Sequence, residues 1–482
     1  MNRRNDRPGH PTLAILIAVA LVAAASFLPL HDLSEGRVKD YSLLADILKT
    51  DETVDSDDTV QLQVEIDPEL ARMMAESTQP DSTVTVEVDT VSSDFATDTT
   101  DSVETPPPPA PLPAPIIAER DSRGVVPIED YTPEGRGLSN LRAALSFFGT
   151  GRIAVVGDSY IEGDIFTQDL RSLLQQTYGG SGVGYMSMFS EFPGFRRSVR
   201  QSGSGWTTYI IGKKGSDNVY QALSEHYFKP DGQATSTFKG TDKVPCASQW
   251  DISRFLFIAP EGGSVNLKTG SETLTYELTP SDSVQCISYS GLTGNLTLSS
   301  STSSLVALGV WLDSSRGISV DCMSSRGFSG LTLRNINTSL CREMSRFIPY
   351  NLIILEFGIN AMSPRQKDFS VYSDAMVKVI DHVRQCYPEA DILLMGIGDR
   401  GEKRGGDVHS MASVQYMIEA QRTAARKARC LFWDTREAMG GNDAIVEWTR
   451  SGYANKDYIH MTHKGGARLA KEFFNSLQQM LP

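Results

Sequence analysis

Ile153-Ala154-Val155-Val156-Gly157-Asp158-Ser159 is the stretch on which the fold turns. Four apolar residues run into a glycine and then into two short polar ones. An apolar run of this length, closed by a turn signal, reads as a strand buried on both faces of a parallel sheet. Helical periodicity follows from Glu162 to Tyr178, with Ile165, Phe166, Leu170, Leu173 and Leu174 on one side. A glycine-rich turn, Gly179 to Gly184, closes the unit.

The same alternation resumes late in the chain. Ile318–Asp321, Leu352–Phe357, Ile392–Met395 and Leu431–Asp434 read as strands. Phe369–Val383, Ala412–Ala428 and Lys464–Met480 read as amphipathic helices. Strands alternating with helices give an α/β fold, a parallel sheet covered on both faces. Ligands bind such sheets beyond the C-terminal ends of the strands, where Gly157 and Gly358 both fall. Between these halves the pattern changes. Phe255–Ile258, Thr273–Tyr276 and Val306–Trp311 alternate with Gly/Ser/Asn turns, which predicts an all-β sandwich inserted over residues 200–315. The expected order is therefore a first core segment at 121–199, the insertion at 200–315 and a second core segment at 316–482.

The N-terminal part is of a different kind. Arg3, Arg4 and Arg7 precede the 18 uncharged residues Leu13–Leu30, at the short end of a membrane-spanning helix. The basic flank predicts a cytoplasmic N-terminus. Ala23-Ala24-Ala25 offers a cleavage site, so a signal peptide is the other reading. The run continues through Phe27 and Leu28, which favours an uncleaved anchor over residues 1–30. Both readings place the rest of the chain outside the cytoplasm, in the periplasm or cell envelope.

Residues 31–120 hold 21 acidic and 5 basic residues, a balance of −16 in a chain of net charge −14. They are rich in Asp, Ser and Thr and end in the proline run Pro106–Pro115. Such a composition predicts a disordered spacer with a stiff end, giving reach from a membrane. A weak helix is expected near Tyr41–Leu48. The remaining chain is close to neutral and has no sustained basic stretch, which argues against a nucleic-acid partner. Six cysteines (Cys246, Cys286, Cys322, Cys341, Cys386, Cys430) show no zinc-ligand spacing. Disulfides and buried free thiols are both open, and no metal or cofactor is expected.

Three motifs carry chemistry. Ser159 follows a strand end, at the strand-to-helix transition, where its hydroxyl can project; a helix N-cap is the plain alternative. Asp457 and His460, three apart before the last helix, match a base with its orienting acid, since a serine needs a proton acceptor held in one tautomer. His463 fits a helix start better. Asn360 after a strand end offers an amide to a developing negative charge, or simply forms a turn. Gly330 offers a backbone N–H, or is a plain turn glycine. No Gly-x-Ser-x-Gly elbow occurs. Trp206, Trp250 and Trp311 could stack on sugar, but core packing is the expected fate of each.

Gly157-Asp158-Ser159, Gly327-Phe328-Ser329-Gly330, Gly358-Ile359-Asn360 and Asp457-Tyr458-Ile459-His460 resemble, in order and spacing, the four blocks of the SGNH (GDSL) hydrolases. The resemblance covers about residues 150–195 and 316–482. It implies a flavodoxin-like three-layer α/β/α core. It also implies Ser159 as nucleophile, His460 as base, Asp457 as orienting acid, and an oxyanion hole from the Ser159 and Gly330 N–H groups and the Asn360 amide. Two positions depart from the usual blocks: Ala361 after Asn360, and Ser325 at the start of the second block. The inserted β-module, with Gly157–Asp164, Phe432-Trp433-Asp434 and Ala438–Gly441, looks like the peptidoglycan O-acetylesterases and their carbohydrate-binding-module-like insert. That likeness implies an acetylated cell-wall glycan as substrate. A lipase, thioesterase or other carbohydrate acetylesterase, a glycan O-acetyltransferase and a non-catalytic glycan-binding protein stay open as alternatives.

Overall fold

The computed structural model describes residues 114–117 and 124–482. The expected anchor or signal, most of the spacer and the helix near Tyr41–Leu48 lie outside these residues. Among the described residues no helix is long and apolar enough to cross a membrane.

The strands in chain order are β1 (Ile116–Ile117), β2 (Glu129–Asp130), β3 (Thr150–Gly157), β4 (Gly184–Met186), β5 (Val199–Ile210), β6 (His226–Gly240), β7 (Trp250–Ala259), β8 (Gly263–Thr269), β9 (Glu272–Leu278), β10 (Ser281–Thr293), β11 (Asn295–Ser300), β12 (Val306–Asp313), β13 (Gly317–Ser324), β14 (Leu352–Glu356), β15 (Asp391–Met395), β16 (Gly401–Arg404), β17 (Asp407–Ser410) and β18 (Leu431–Trp433). The helices are α1 (Ser139–Ala143), α2 (Thr167–Tyr178), α3 (Thr338–Ser345), α4 (Ser370–Cys386), α5 (Val414–Ala428), α6 (Thr435–Met439), α7 (Ala444–Arg450) and α8 (His463–Gln478).

A seven-stranded sheet runs β1-β2-β18-β15-β14-β3-β13. Its five strands from β13 to β18 are parallel, and β2 and β1 add antiparallel at one edge. Numbered by sequence, the parallel strands fall in the order 2-1-3-4-5, the flavodoxin-like arrangement. The chain leaves β3 in one direction for β13 and in the other for β14, β15 and β18. Right-handed crossovers then place the connecting helices on opposite faces. Accordingly α2 packs with α8, and α4 with α5. Every residue of β14 and β15 is buried, as their apolar sequences require.

Nine antiparallel strands form the second sheet. The all-β insertion expected from the sequence is present, and the long β6 carries its hydrogen bonding from one set of strands to the other. The 15-residue β6 pairs with β12 through Phe228 at one end and with β11 through Ala234–Lys239 at the other. Alternation along β7 serves two cores. Phe255 and Phe257 enter the insertion's own cluster with Phe228, Phe238 and Trp250. Leu256 and Ile258 enter the main core.

Two expected boundaries shift. The insertion was expected from residue 200, but β4 already belongs to its sheet through β12; a three-residue strand after a glycine run carries too little pattern to be read as one. The spacer was expected to residue 120, yet Ile116–Ile117 pairs with Glu129–Asp130. All six cysteines are free thiols.

One buried ionic cluster joins insertion to core. Arg152 of β3 pairs with Asp313 of β12 and, at 3.0 Å, with Asp321 of β13. Asp321 also accepts from Trp311 Nε1 at 2.9 Å, Tyr350 OH at 2.7 Å and the Tyr185 backbone N–H at 2.9 Å. Burial works against the Arg152 charge, but Asp313 and Asp321 outweigh it and raise its pKa. Such a cluster stabilises little over an apolar substitute, but removing one member leaves a buried charge unpaired. Arg152→Met should therefore cost about 3–5 kcal/mol, read as a lowered urea midpoint. A change below about 0.5 kcal/mol would contradict this role.

Candidate active site

The three chemical motifs meet beyond the C-terminal ends of β3 and β14, the point where the strand order reverses. Ser159 sits in a turn right after β3, and the helix that follows starts only at Thr167. The N-cap alternative is thereby excluded, and the helix expected from Glu162 begins later. Between them lies a 3-10 turn, Glu162–Asp164. Asp164 holds this turn from beneath. It pairs with Arg171 of α2 at 2.7 Å, with Arg196 at 3.1 Å and with the Ser198 hydroxyl at 2.9 Å. Although burial opposes its charge, these two arginines keep Asp164 below the usual carboxylate range.

His460 arrives from the other end of the chain, in the loop before α8. Thr462 caps α8 by accepting from the Gly465 N–H at 3.2 Å. Gly466 in its first turn lies against the Ile165 carbonyl; a Cβ there would meet that oxygen at 2.1 Å. Lack of a side chain lets α8 settle onto the turn carrying Ser159, which brings the Asp457–His460 loop to the nucleophile.

Ser159 Oγ lies 3.0 Å from His460 Nε2, and His460 Nδ1 lies 2.8 Å from Asp457 Oδ2. Asp457 Oδ1 accepts from the Ile459 and His460 backbone N–H groups at 2.9 and 3.0 Å. Burial would raise the Asp457 pKa. The hydrogen bonds from the His460 ring and these amides prevail and lower it, so the carboxylate stays charged. A carboxylate fixed in this way holds a proton on Nδ1 and leaves Nε2 free to take the serine proton.

Asn360, in the short turn after β14, donates through Nδ2 to Asp158 Oδ2 at 2.9 Å and to the Phe328 carbonyl at 3.0 Å. Both amide protons are thus engaged. The amide can meet a developing negative charge by exchanging the Phe328 carbonyl for it. Gly330 lies two residues beyond Phe328, at the start of the turn Leu331–Asn335. Ser325 donates its backbone N–H to the Gly157 carbonyl at 2.9 Å, tying this loop to the nucleophile strand. Ala361, where the family pattern has an acid, is fully buried. His463 is the first residue of α8 and contacts Gln168 at 3.1 Å, as its helix-start reading expects.

Three residues near the site, Asp158, Glu356 and Arg400, escape the motifs' logic. Asp158 is fully buried behind Ser159 and accepts the Tyr160 N–H at 2.9 Å. Burial pushes its carboxyl up to about 7, against the Tyr160 N–H, His460 and the Asn360 amide, which favour the charge. Glu356 at the end of β14 is raised well above its usual range, first by burial and then by Asp158. Arg400, buried in the loop after β15, donates to the Ile359 carbonyl at 3.1 Å and feels the Asp457 charge. Asp158 and Glu356 carry one sequence signal, an acidic residue at the end of an apolar run; Arg400 carries none.

Residues 302–468 match the model of the GDSL-like Lipase/Acylhydrolase family. Together with the Ser–His–Asp geometry, this match supports a serine hydrolase acting on ester bonds. No curated protein sequence matches the chain. Among solved structures, a peptidoglycan O-acetylesterase is similar at 21% identity over 73% of this chain and 98% of its own, with a TM-score of 0.61. A Bacillus subtilis protein (14% identity, 62% and 98% covered, TM-score 0.30) and a family two carbohydrate esterase from Cellvibrio japonicus (10%, 58% and 98%, TM-score 0.25) are more distant. The first of these supports the fold of core and insertion together.

Asp158→Asn turns the acceptor facing Asn360 into a donor, and should lower kcat on a simple acetyl ester by about ten- to a hundredfold. The same variant tests the pKa. A carboxyl raised in the folded state contributes stability that is fully present below its unfolded pKa and lost as pH rises through about 7. Urea midpoints at pH 5.5 and 8.5 should therefore fall in the parent and fall less in Asp158→Asn. Equal slopes would contradict the assignment.

Proposed function

We propose that this protein is an exported, membrane-tethered esterase that removes O-acetyl groups from cell-wall glycan. The observation that carries the esterase part is the unbroken hydrogen-bonded line Ser159–His460–Asp457 at 3.0 and 2.8 Å. The substrate is carried over from the peptidoglycan O-acetylesterase that shares this fold together with its inserted β-sheet. Export rests on the basic, then apolar, N-terminal sequence and its acidic, proline-rich continuation.

Ser159 Oγ attacks the acetyl carbonyl carbon while His460 Nε2 takes the hydroxyl proton. The carbonyl oxygen becomes an oxyanion, held by the Ser159 and Gly330 N–H groups and the Asn360 amide. His460, now a cation beside Asp457, passes its proton to the leaving sugar oxygen. The carbon–oxygen bond breaks, the glycan hydroxyl leaves and acetyl-Ser159 remains. Water then attacks that ester, His460 takes its proton, and acetate and free Ser159 are restored.

Acetate release from O-acetylated peptidoglycan by the full chain is the test. Ser159→Ala or His460→Ala should lower it by several powers of ten, on the order of 10⁴ or more, and Asn360→Ala by about 10²–10³. An unchanged rate in Ser159→Ala would rule the mechanism out. Hydrolysis of a nitrophenyl acetate without release from the polymer would leave the esterase and remove the glycan.

A further inference from the structure

A cleft of about 380 Å³ opens between the catalytic layer and the inserted sheet. Ser159 and His460 do not line it. It reaches the site through Phe328, whose carbonyl holds Asn360, and through Ser325, whose N–H holds Gly157. The opposite wall comes from the insertion, with Thr208, Lys213 and His226. Its lining mixes charged and polar side chains, Glu162, Gln201 and Lys213, with apolar ones such as Phe189 and Met323.

Two features of the rim lack a structural purpose. Phe192 and Phe195 stack at 5.4 Å between ring centroids and remain 47% and 46% exposed. The loop bearing them is docked on the nucleophile's turn. Gly163 (φ 71°) faces Phe195 so closely that a Cβ would meet its Cβ at 2.7 Å. Arg326 lies over the Phe192 ring at 5.5 Å and pairs with Glu162, which fixes Phe192 at the cleft wall. The second feature is Lys213. Its ammonium lies 5.7 Å from the Phe328 ring centroid, and among the described residues no carboxylate pairs with it. The other cations of the lining are spent, Arg196 on Asp164 and Arg326 on Glu162. Exposed aromatics near a reactive centre offer flat apolar area to a ring, and a lone cation offers a site for an anion.

We propose that this cleft is a glycan subsite of the active site: the exposed Phe192, backed by Phe195, receives the apolar face of a sugar next to the acetylated one, and Lys213 pairs with a carboxylate carried by the same strand. The ligand class is an acidic, carboxylate-bearing glycan. The proposal rests on the cell-wall reading and names how that polymer is held. It gives the insertion a task that its buried tryptophans do not perform, since Trp250 and Trp311 are both enclosed.

The test separates binding from turnover. Full-length Ser159→Ala is titrated by calorimetry with soluble, de-O-acetylated peptidoglycan strands, alone and combined with Phe192→Ala, Lys213→Ala, Lys213→Arg or Leu292→Ala. Leu292 is an exposed apolar residue of β10 outside the cleft lining. Phe192→Ala and Lys213→Ala should each weaken binding about tenfold. Lys213→Arg should retain most of it, and Leu292→Ala all of it. The Lys213 effect should also shrink with added salt. Equal affinity across the set, or no binding, overturns the subsite. Acetate release by the unsubstituted chain reports separately on the esterase. Release with variant-insensitive binding sinks the subsite alone, and variant-sensitive binding without release sinks the esterase reading alone.

Discussion

Asp321 is the side chain on which the two layers of this protein depend. It stands in β13 of the parallel sheet, fully buried, yet three of its partners (Arg152, Tyr350 and the Trp311 indole) and one amide (Tyr185) converge on it from both domains. A carboxylate is affordable there only because its lone pairs are all engaged and a guanidinium balances its charge. The same contacts fix the insertion against the sheet. A second tie, Arg196 to Asp164, joins the segment before β5 to the turn behind the nucleophile. Cleft and catalytic turn are thus held by related ionic contacts, and a shift of the insertion would be felt at Ser159.

The parallel core was legible because its strands are near-continuous apolar runs and its helices keep a 3.6-residue period. The strand order 2-1-3-4-5 was not in the sequence pattern; it entered with the family likeness. Ser159, Asp457, His460 and Asn360 could be named from residue type and spacing next to strand ends, and the structure places them together. What Asn360 does in the resting site, bonding Asp158 and Phe328, was not readable, because it depends on loops hundreds of residues apart.

The misreadings have physical causes. The helix after β3 was expected from Glu162, but the Gly163–Asp164 turn delays it to Thr167. The insertion's first strand was hidden in a glycine run. Trp250 and Trp311 are packed inside, as their sequence context suggested, whereas the exposed Phe192 of the cleft carried no sequence signal. Arg400 has no motif; only the fold shows it beneath Ile359 and near Asp457.

The central claim is that Ser159 becomes covalently attached to the acyl group. Mass spectrometry of the full chain after brief reaction with a serine-directed fluorophosphonate tests it most directly. The expected result is a single adduct on the peptide containing Ser159, with labelling slowed strongly in His460→Ala. An adduct on another residue, or labelling that is indifferent to His460, would contradict the account.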